Sequence, residues 1–254
     1  VTDLLTSTLS VYRVDTAMLA ALQPTHIITQ AQCEVCAVSL GDVEAAVAVL
    51  THSRPQIISL EPTRLEEVWD DIRRVGQTLL PPASTAAVEA VLASLQERVS
   101  TCAAQAAAIS HRPTVACIEW TDPLMAAGNW VPELVELSGG TALFGESGKH
   151  SPWLSWEELL AANPEVIVIM PCGYDLAVTE RESQALLRHP AWTKLQAVQT
   201  NRVYITDGNQ YFNRPGPRLV DSLEILAELI HPEVSQYGYL GRGWKPFGAV
   251  NVAS

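Results

Sequence analysis

Between Ser84 and Ser110 the apolar residues Val88, Leu92, Leu95, Val99, Cys102, Ala106 and Ile109 recur at alternating steps of four and three. That spacing draws one stripe down a single helix. Pro81 and Pro82 stop anything arriving from upstream, Ser84 is a suitable N-cap, and His111-Arg112-Pro113 ends the run. The interior holds no Gly or Pro and much Ala, so propensity and pattern agree on a rod of roughly 40 Å at 1.5 Å per residue. Such a rod is longer than most small domains are wide, and it is expected to act as a rigid link between two lobes.

On both sides of it, short apolar runs alternate with helical periods. Upstream, a short helix capped by Asp15 carries Met18, Leu19 and Leu22, Ile27-Ile28 begins a strand, a helix starts at Asp42, Gln56–Leu60 is a strand and Arg64–Leu80 is helical. Downstream come strands at 115–119, 141–144, 166–169 and 203–205, with helices at 130–137, 155–162, 180–188 and 217–230. Alternation of this kind implies mainly parallel sheets covered by helices. The predicted division is 1–83 for a first lobe, 84–111 for the linking helix and 112–254 for a second lobe. Only two strands are legible before the link, and the chain opens without Met on an already helical pattern; upstream strands of the first lobe are therefore expected to be missing.

An internal repeat supports two lobes of like construction. Leu19-Ala20-Ala21-Leu22-Gln23-Pro24-Thr25-His26-Ile27-Ile28 and Leu159-Leu160-Ala161-Ala162-Asn163-Pro164-Glu165-Val166-Ile167-Val168 are one helix-Pro-strand unit, offset by 140 residues. Ligands of open α/β sheets sit beyond the carboxyl ends of the strands, which directs attention to the loops at Gln30–Cys36 and Met170–Tyr174.

Composition narrows the classes. Charged residues make up 17% and apolar residues 48%, as in a packed globular chain rather than a disordered one. A net charge of −12 makes nucleic acid and anionic membrane surfaces unsuitable partners, and no apolar run reaches the length of about 18 residues that a membrane span needs. Five cysteines are too few for a disulfide framework. Cys33 and Cys36 have a C-x-x-C spacing, the repeat places Cys172 at the matching loop of the other lobe, and His150 lies in a nearby Gly-rich loop. Such a set serves metal ligation or thiol chemistry, against the alternative of inert, buried thiols; Cys102 and Cys117 read as core. Lys149 is followed by His150, so Gly145–Gly148 is not a phosphate-binding P-loop. No nucleophile elbow and no His-Glu-x-x-His is present. Glu119 and Asp122 form a carboxylate pair at a strand end, most simply explained as a turn before Pro123.

Three segments carry a resemblance: Leu22–Ile28, Ser155–Pro164, and Tyr211-Phe212-Asn213-Arg214-Pro215-Gly216-Pro217-Arg218. In this order around a long helix they resemble the substrate-binding proteins of metal-chelate transport, which carry cobalamin, siderophores or haem, and the cobalamin-binding branch most. The resemblance implies a non-enzymatic binding protein with two α/β lobes joined by one long helix and a ligand cleft between them. It implies no intrinsic cofactor or resident metal, a corrinoid or related chelate as ligand, and a periplasmic or cell-surface location. Trp120 and Tyr211-Phe212 match positions where the family sets rings against its ligand, Trp153 lies on a nearby segment, and Arg214 matches a polar pocket position. Gln30, Gln32, Cys33 and Cys36 would form the opposing wall, with Cys172 at the second lobe's loop; Trp130 reads as core. Family members that dock on an ABC permease place an acidic residue at the start of one helix in each lobe. Glu157 fits in the second lobe; its counterpart in the first is Ala17, with Asp15 two residues away. The alternative reading is a cytosolic metal-binding or redox protein working through Cys33, Cys36 and Cys172.

Overall fold

The computed structural model describes residues 14–30, 40–48 and 54–248. The chain divides into two compact units, one comprising residues 1–62 and 70–88, the other residues 63–69 and 89–254.

In the first unit, helix α1 (Thr16–Leu22) leads into strand β1 (His26–Gln30), helix α2 (Leu40–Ala48) precedes strand β2 (Gln56–Leu60), and most of helix α3 (Leu65–Leu79) follows. Strands β1 and β2 pair in parallel, from His26 opposite Gln56 to Gln30 opposite Leu60. Parallel pairing requires a crossover between the strands, and α2 lies within it.

Helix α4 runs unbroken from Thr85 to Ala107, 23 residues and so roughly 34 Å. Its anticipated start at Ser84 is instead the end of a 3-10 turn over Pro82–Ser84, in which the Ser84 N–H donates to the Pro81 carbonyl. The stripe is where the periodicity placed it: Val88, Leu92, Cys102 and Ala106 are buried, and Leu95, Val99 and Ile109 are partly so.

The second unit is built on strands β3 (Thr114–Thr121), β4 (Leu124–Ala126), β5 (Thr141–Leu143), β6 (Val166–Ile169), β7 (Val203–Thr206) and β8 (Trp244–Pro246). The order is β4-β3-β6-β7-β8, with β5 also on β3. Strands β5, β3, β6 and β7 are mutually parallel, while β4 and β8 are antiparallel additions. Helices α5 (Val131–Leu137), α6 (Trp156–Ala162), α7 (Leu176–Glu182), α8 (Gln184–Leu187), α9 (Gln196–Gln199) and α10 (Leu219–Ile230) connect and cover them. Every residue of β6 and β7 is buried, as expected of parallel strands covered on both faces. Ile118, Ile167, Ile169, Leu195 and Ile205 anchor the core.

The two halves of the internal repeat share their local geometry. Asp15 and Ser155 each cap a helix by accepting the backbone N–H three residues on, from Met18 and Glu158. Gln23 and Asn163 each end it at φ 44°, donating to the carbonyls of Leu19 and Leu159 at 3.0 Å. The following proline cannot continue the helix and turns the chain into the strand.

One expectation needs correction: the strand read at 115–119 continues through Trp120 to Thr121, turns at Asp122-Pro123 and returns as β4. The C-terminal tail also contributes a strand, β8, on the edge of β7.

Candidate functional site

Because β3, β6 and β7 run parallel, the segments that leave their carboxyl ends emerge on the same side of the second unit. Those segments are hydrogen-bonded to one another. Met170 N–H donates to the Ile118 carbonyl at 2.8 Å, and Asn209 N–H to the Tyr174 carbonyl at 3.0 Å. Asn213 Nδ2 donates to the Met170 carbonyl at 2.9 Å. Gly208 is required by this packing, since a Cβ there would lie 2.3 Å from the Pro171 carbonyl oxygen. Asp207 caps the turn over Gly208–Phe212 by accepting the Gln210 N–H at 2.7 Å. Burial pushes the Asp207 carboxyl above its ordinary pKa, and the neighbouring Asp175 adds to the shift.

On this rigid base lies a row of apolar side chains. Trp120 is directly opposite Met125 in the β3–β4 pairing, and Met125 is in turn opposite Trp153 in an antiparallel bridge. Opposed residues of antiparallel strands project from the same face, so the register places the three side chains in one row, next to the β-bulge between Ile118 and Trp120. Trp153 is 69% exposed; Trp120 and Met125 are half-buried. Tyr174 extends the strip, its ring centroid 5.4 Å from that of Trp120 at an interplanar angle of 48°. Trp120 Nε1 donates to the Asp122 carbonyl at 3.1 Å, which fixes the indole against the hairpin. Arg214 is exposed and donates from Nη2 to Asn209 Oδ1 at 2.7 Å. Large rigid rings with one orienting cation are the elements of a surface that holds a flat, mostly apolar ligand with a polar periphery.

The structure separates the anticipated contacts. Trp120, Trp153 and Arg214 present surface, as does the half-buried Cys172 on the loop after β6. Phe212 is fully buried and Tyr211 is 4% exposed, a correction to the reading of both as open ligand contacts. Trp130, buried as expected, donates from its indole to the Phe212 carbonyl at 2.9 Å. Tyr211 sets its ring edge against Tyr239, and burial raises its phenol pKa. Both residues shape the loop from beneath. Gln30 ends β1 as an exposed residue; Gln32, Cys33 and Cys36 lie outside the described residues. Met125 and Tyr174 belong to the strip yet were not among the anticipated site residues. The Asp122-Pro123 turn between two short apolar runs hints at a hairpin but not at the register that places Met125 in the strip.

The thiol set gains no support. Of its members only Cys172 and His150 are described; Cys102 and Cys117, read as core and outside the set, are buried, and burial raises both, pushing Cys117 up to about 12. Among the described residues no three His, Cys, Asp or Glu side chains converge as a metal cluster. Glu119 is engaged by the Ser151 hydroxyl at 2.6 Å, a structural bond that ties the hairpin to the 145–151 loop. At the helix starts, Asp15 corresponds by geometry to Ser155, not to Glu157: its carboxylate is the N-cap of α1, whereas Glu157 is an exposed residue in the first turn of α6.

Residues 4–210 match the family model described as periplasmic binding protein. A vitamin B12-binding protein of Vibrio cholerae is 31% identical over 100 residues, covering 39% of this chain; the matched stretch spans only 33% of that relative's length. Solved structures with the same fold include an ABC transporter substrate-binding protein from Listeria monocytogenes (TM-score 0.72, 17% identity, 86% of this chain and 81% of the other). A periplasmic haem-binding protein from Pseudomonas aeruginosa has a TM-score of 0.67 at 19% identity over 87% and 77% of the two chains. The periplasmic vitamin B12-binding protein of Vibrio cholerae gives 0.63 at 21% over 88% and 80%. With the α/β architecture, the mainly parallel sheets and the unbroken helix already established, the matched span assigns this chain to the periplasmic binding protein family, whose members are non-enzymatic substrate-binding components that work without an intrinsic cofactor.

Proposed function

We propose that this protein binds a planar metal chelate of the corrinoid or porphyrin kind against the Trp120–Met125–Trp153 strip and hands it to an ABC permease from the periplasm or cell surface. The observation that carries the reading is the strip itself: two indoles and a thioether aligned across three antiparallel segments, one indole 69% exposed. An exposed indole continuous with a second ring and a thioether offers an apolar, rigid surface that a flat ligand can cover. Covering about 150 Å² of it is worth roughly 4 kcal/mol at about 25 cal/mol/Å². Arg214 supplies charge-assisted hydrogen bonds to amide, carboxylate or phosphate groups on the ligand's rim. The vitamin B12-binding relative favours a corrinoid. Glu157 at the start of α6 is the permease-facing acid of the second unit; the matching position of the first is Ala17, so Asp15, two residues away, would have to take that part.

Equilibrium dialysis of the purified chain against cyanocobalamin, and separately against hemin, tests this. Saturable binding of at least one chelate at micromolar concentration, weakened about tenfold or more by Trp153→Ala, is expected. No retention of either compound would refute the proposal.

A further inference from the structure

At the amino ends of the second unit's strands, opposite the carboxyl-end segments described above, a cavity of about 330 Å³ opens between the residues entering β3 and β7 and the end of α10. That volume is at the lower end of the range of roughly 300–1,000 Å³ over which small-molecule sites occur. Ile109, Ile230 and Pro232 give the cavity apolar walls, and Arg202, His231 and Glu233 bring charge and hydrogen-bonding groups to it.

The opposite charges here are not spent on each other. Arg202 is half-buried and donates from Nη2 to the Ile230 carbonyl at 2.7 Å; among the described residues its guanidinium makes no ion pair. The rest of its five-donor fork is left for an acceptor in the cavity. Glu233 faces His231 instead, with Oε1 3.8 Å from Nδ1, beyond hydrogen-bond length.

His231 is 3% exposed, and its Nε2 is 3.1 Å from the Gly139 carbonyl oxygen. A carbonyl only accepts, so Nε2 carries the proton, and in the neutral ring Nδ1 is an acceptor. Nδ1 and the Glu233 carboxylate are thus two acceptors 3.8 Å apart, a pair that one shared donor can satisfy. An ammonium nitrogen about 2.8 Å from each subtends an angle of roughly 85° between them, near enough to tetrahedral for two of its N–H bonds to serve both. The carboxylate favours a charged donor in that place. A simple anion on Arg202 would leave Glu233 unpaired, and a simple amine would leave Arg202 unpaired, whereas a zwitterion answers both.

We propose that this cavity binds a small aliphatic amino acid. Its ammonium group bridges His231 Nδ1 and Glu233, its carboxylate takes the remaining donors of Arg202, and its methylene body lies against Ile109, Ile230 and Pro232. The inference is independent of the chelate reading.

Isothermal titration of the full chain with glycine, β-alanine and 4-aminobutyrate, beside butyrate and butylammonium as singly charged controls, tests it. Saturable binding of at least one amino acid at millimolar concentration or below is expected, with both controls weaker by about tenfold or more. The same loss is expected in Arg202→Gln and in Glu233→Gln, and none in the Trp120→Ala, Trp153→Ala double variant. Glu233 is exposed, so its substitution leaves the fold intact and carries the test even where Arg202→Gln loosens the end of α10. No heat from any amino acid would overturn the proposal, as would butyrate or butylammonium binding equally well, an affinity unchanged in Glu233→Gln, or binding lost in the double tryptophan variant.

Discussion

Trp153 leaves 69% of its surface exposed, whereas Phe212, also aromatic and also expected to meet the ligand, leaves none. The difference separates binding from packing. Trp153→Ala should change stability by no more than about 0.5 kcal/mol, because an exposed side chain contributes little to the folded state, while weakening chelate binding. Phe212→Ala should cost about 3–5 kcal/mol, the transfer and cavity terms of a fully buried ring, seen as a lower thermal midpoint. Equal thermal losses in the two variants would contradict the assignment. A second residue-scale expectation concerns Glu67. Its Oε2 accepts the Thr63 N–H at 2.6 Å, the Thr63 hydroxyl at 3.0 Å and the Arg64 N–H at 3.2 Å, and chiefly the Thr63 backbone bond holds its carboxyl below the ordinary value of 4.5. A lowered folded pKa contributes stability that is present above the unfolded value and lost as pH falls through the folded one. Glu67→Gln should therefore be less stable than the parent near neutrality, by a few tenths to about 1 kcal/mol after solvent screening. The gap should close as pH falls below about 4.5. Denaturant midpoints across that range check it; a gap that widens on acidification would contradict the cap.

The repeated helix-Pro-strand unit gives a prediction at the scale of the element. Gln23 and Asn163 occupy the same left-handed position, φ 44°, where glycine carries no Cβ penalty. Gln23→Gly should stabilise by about 0.5 kcal/mol. Asn163→Gly should show no such gain, because Asn163 Oδ1 accepts the Gln196 N–H at 2.8 Å and glycine would leave that bond unmade. Matched denaturation curves distinguish them, and a loss at Gln23 would contradict the shared geometry. Elements with strong period were legible in the sequence: the stripe on α4, the capping Ser155 of α6 and the four buried residues of β6. The β3–β4 hairpin was not, since Trp120-Thr121-Asp122-Pro123 carries polar turn residues that read equally as a loop, and only pairing shows that the strand continues. Site legibility followed the same line. Trp153 and Arg214, anticipated through the family resemblance, are exposed, but sequence offers no means of telling that Tyr211 and Phe212 turn inward, because burial is set by the packing of α10 and the tail. Met125 escaped notice because its place in the strip depends on register, which sequence does not state.

For the whole molecule, the proposed function is that of a carrier that takes up its ligand and releases it unaltered. Bound chelate recovered after denaturation should have the absorbance spectrum and mass of the material added; a chemically altered product would contradict a non-enzymatic role. Because ligand binds the folded state alone, saturation at about 100 times Kd should raise unfolding stability by roughly 2.7 kcal/mol. The central claim, that the face formed by Trp120, Met125 and Trp153 holds the chelate, is tested most directly by tryptophan-fluorescence titration of the unaltered protein beside a Trp120→Ala, Trp153→Ala double variant, with cyanocobalamin and with hemin. Saturable quenching at micromolar chelate in the first protein and its near-complete loss in the second is the predicted result; equal affinity in both, measured by dialysis so that lost fluorophores do not mislead, would contradict it.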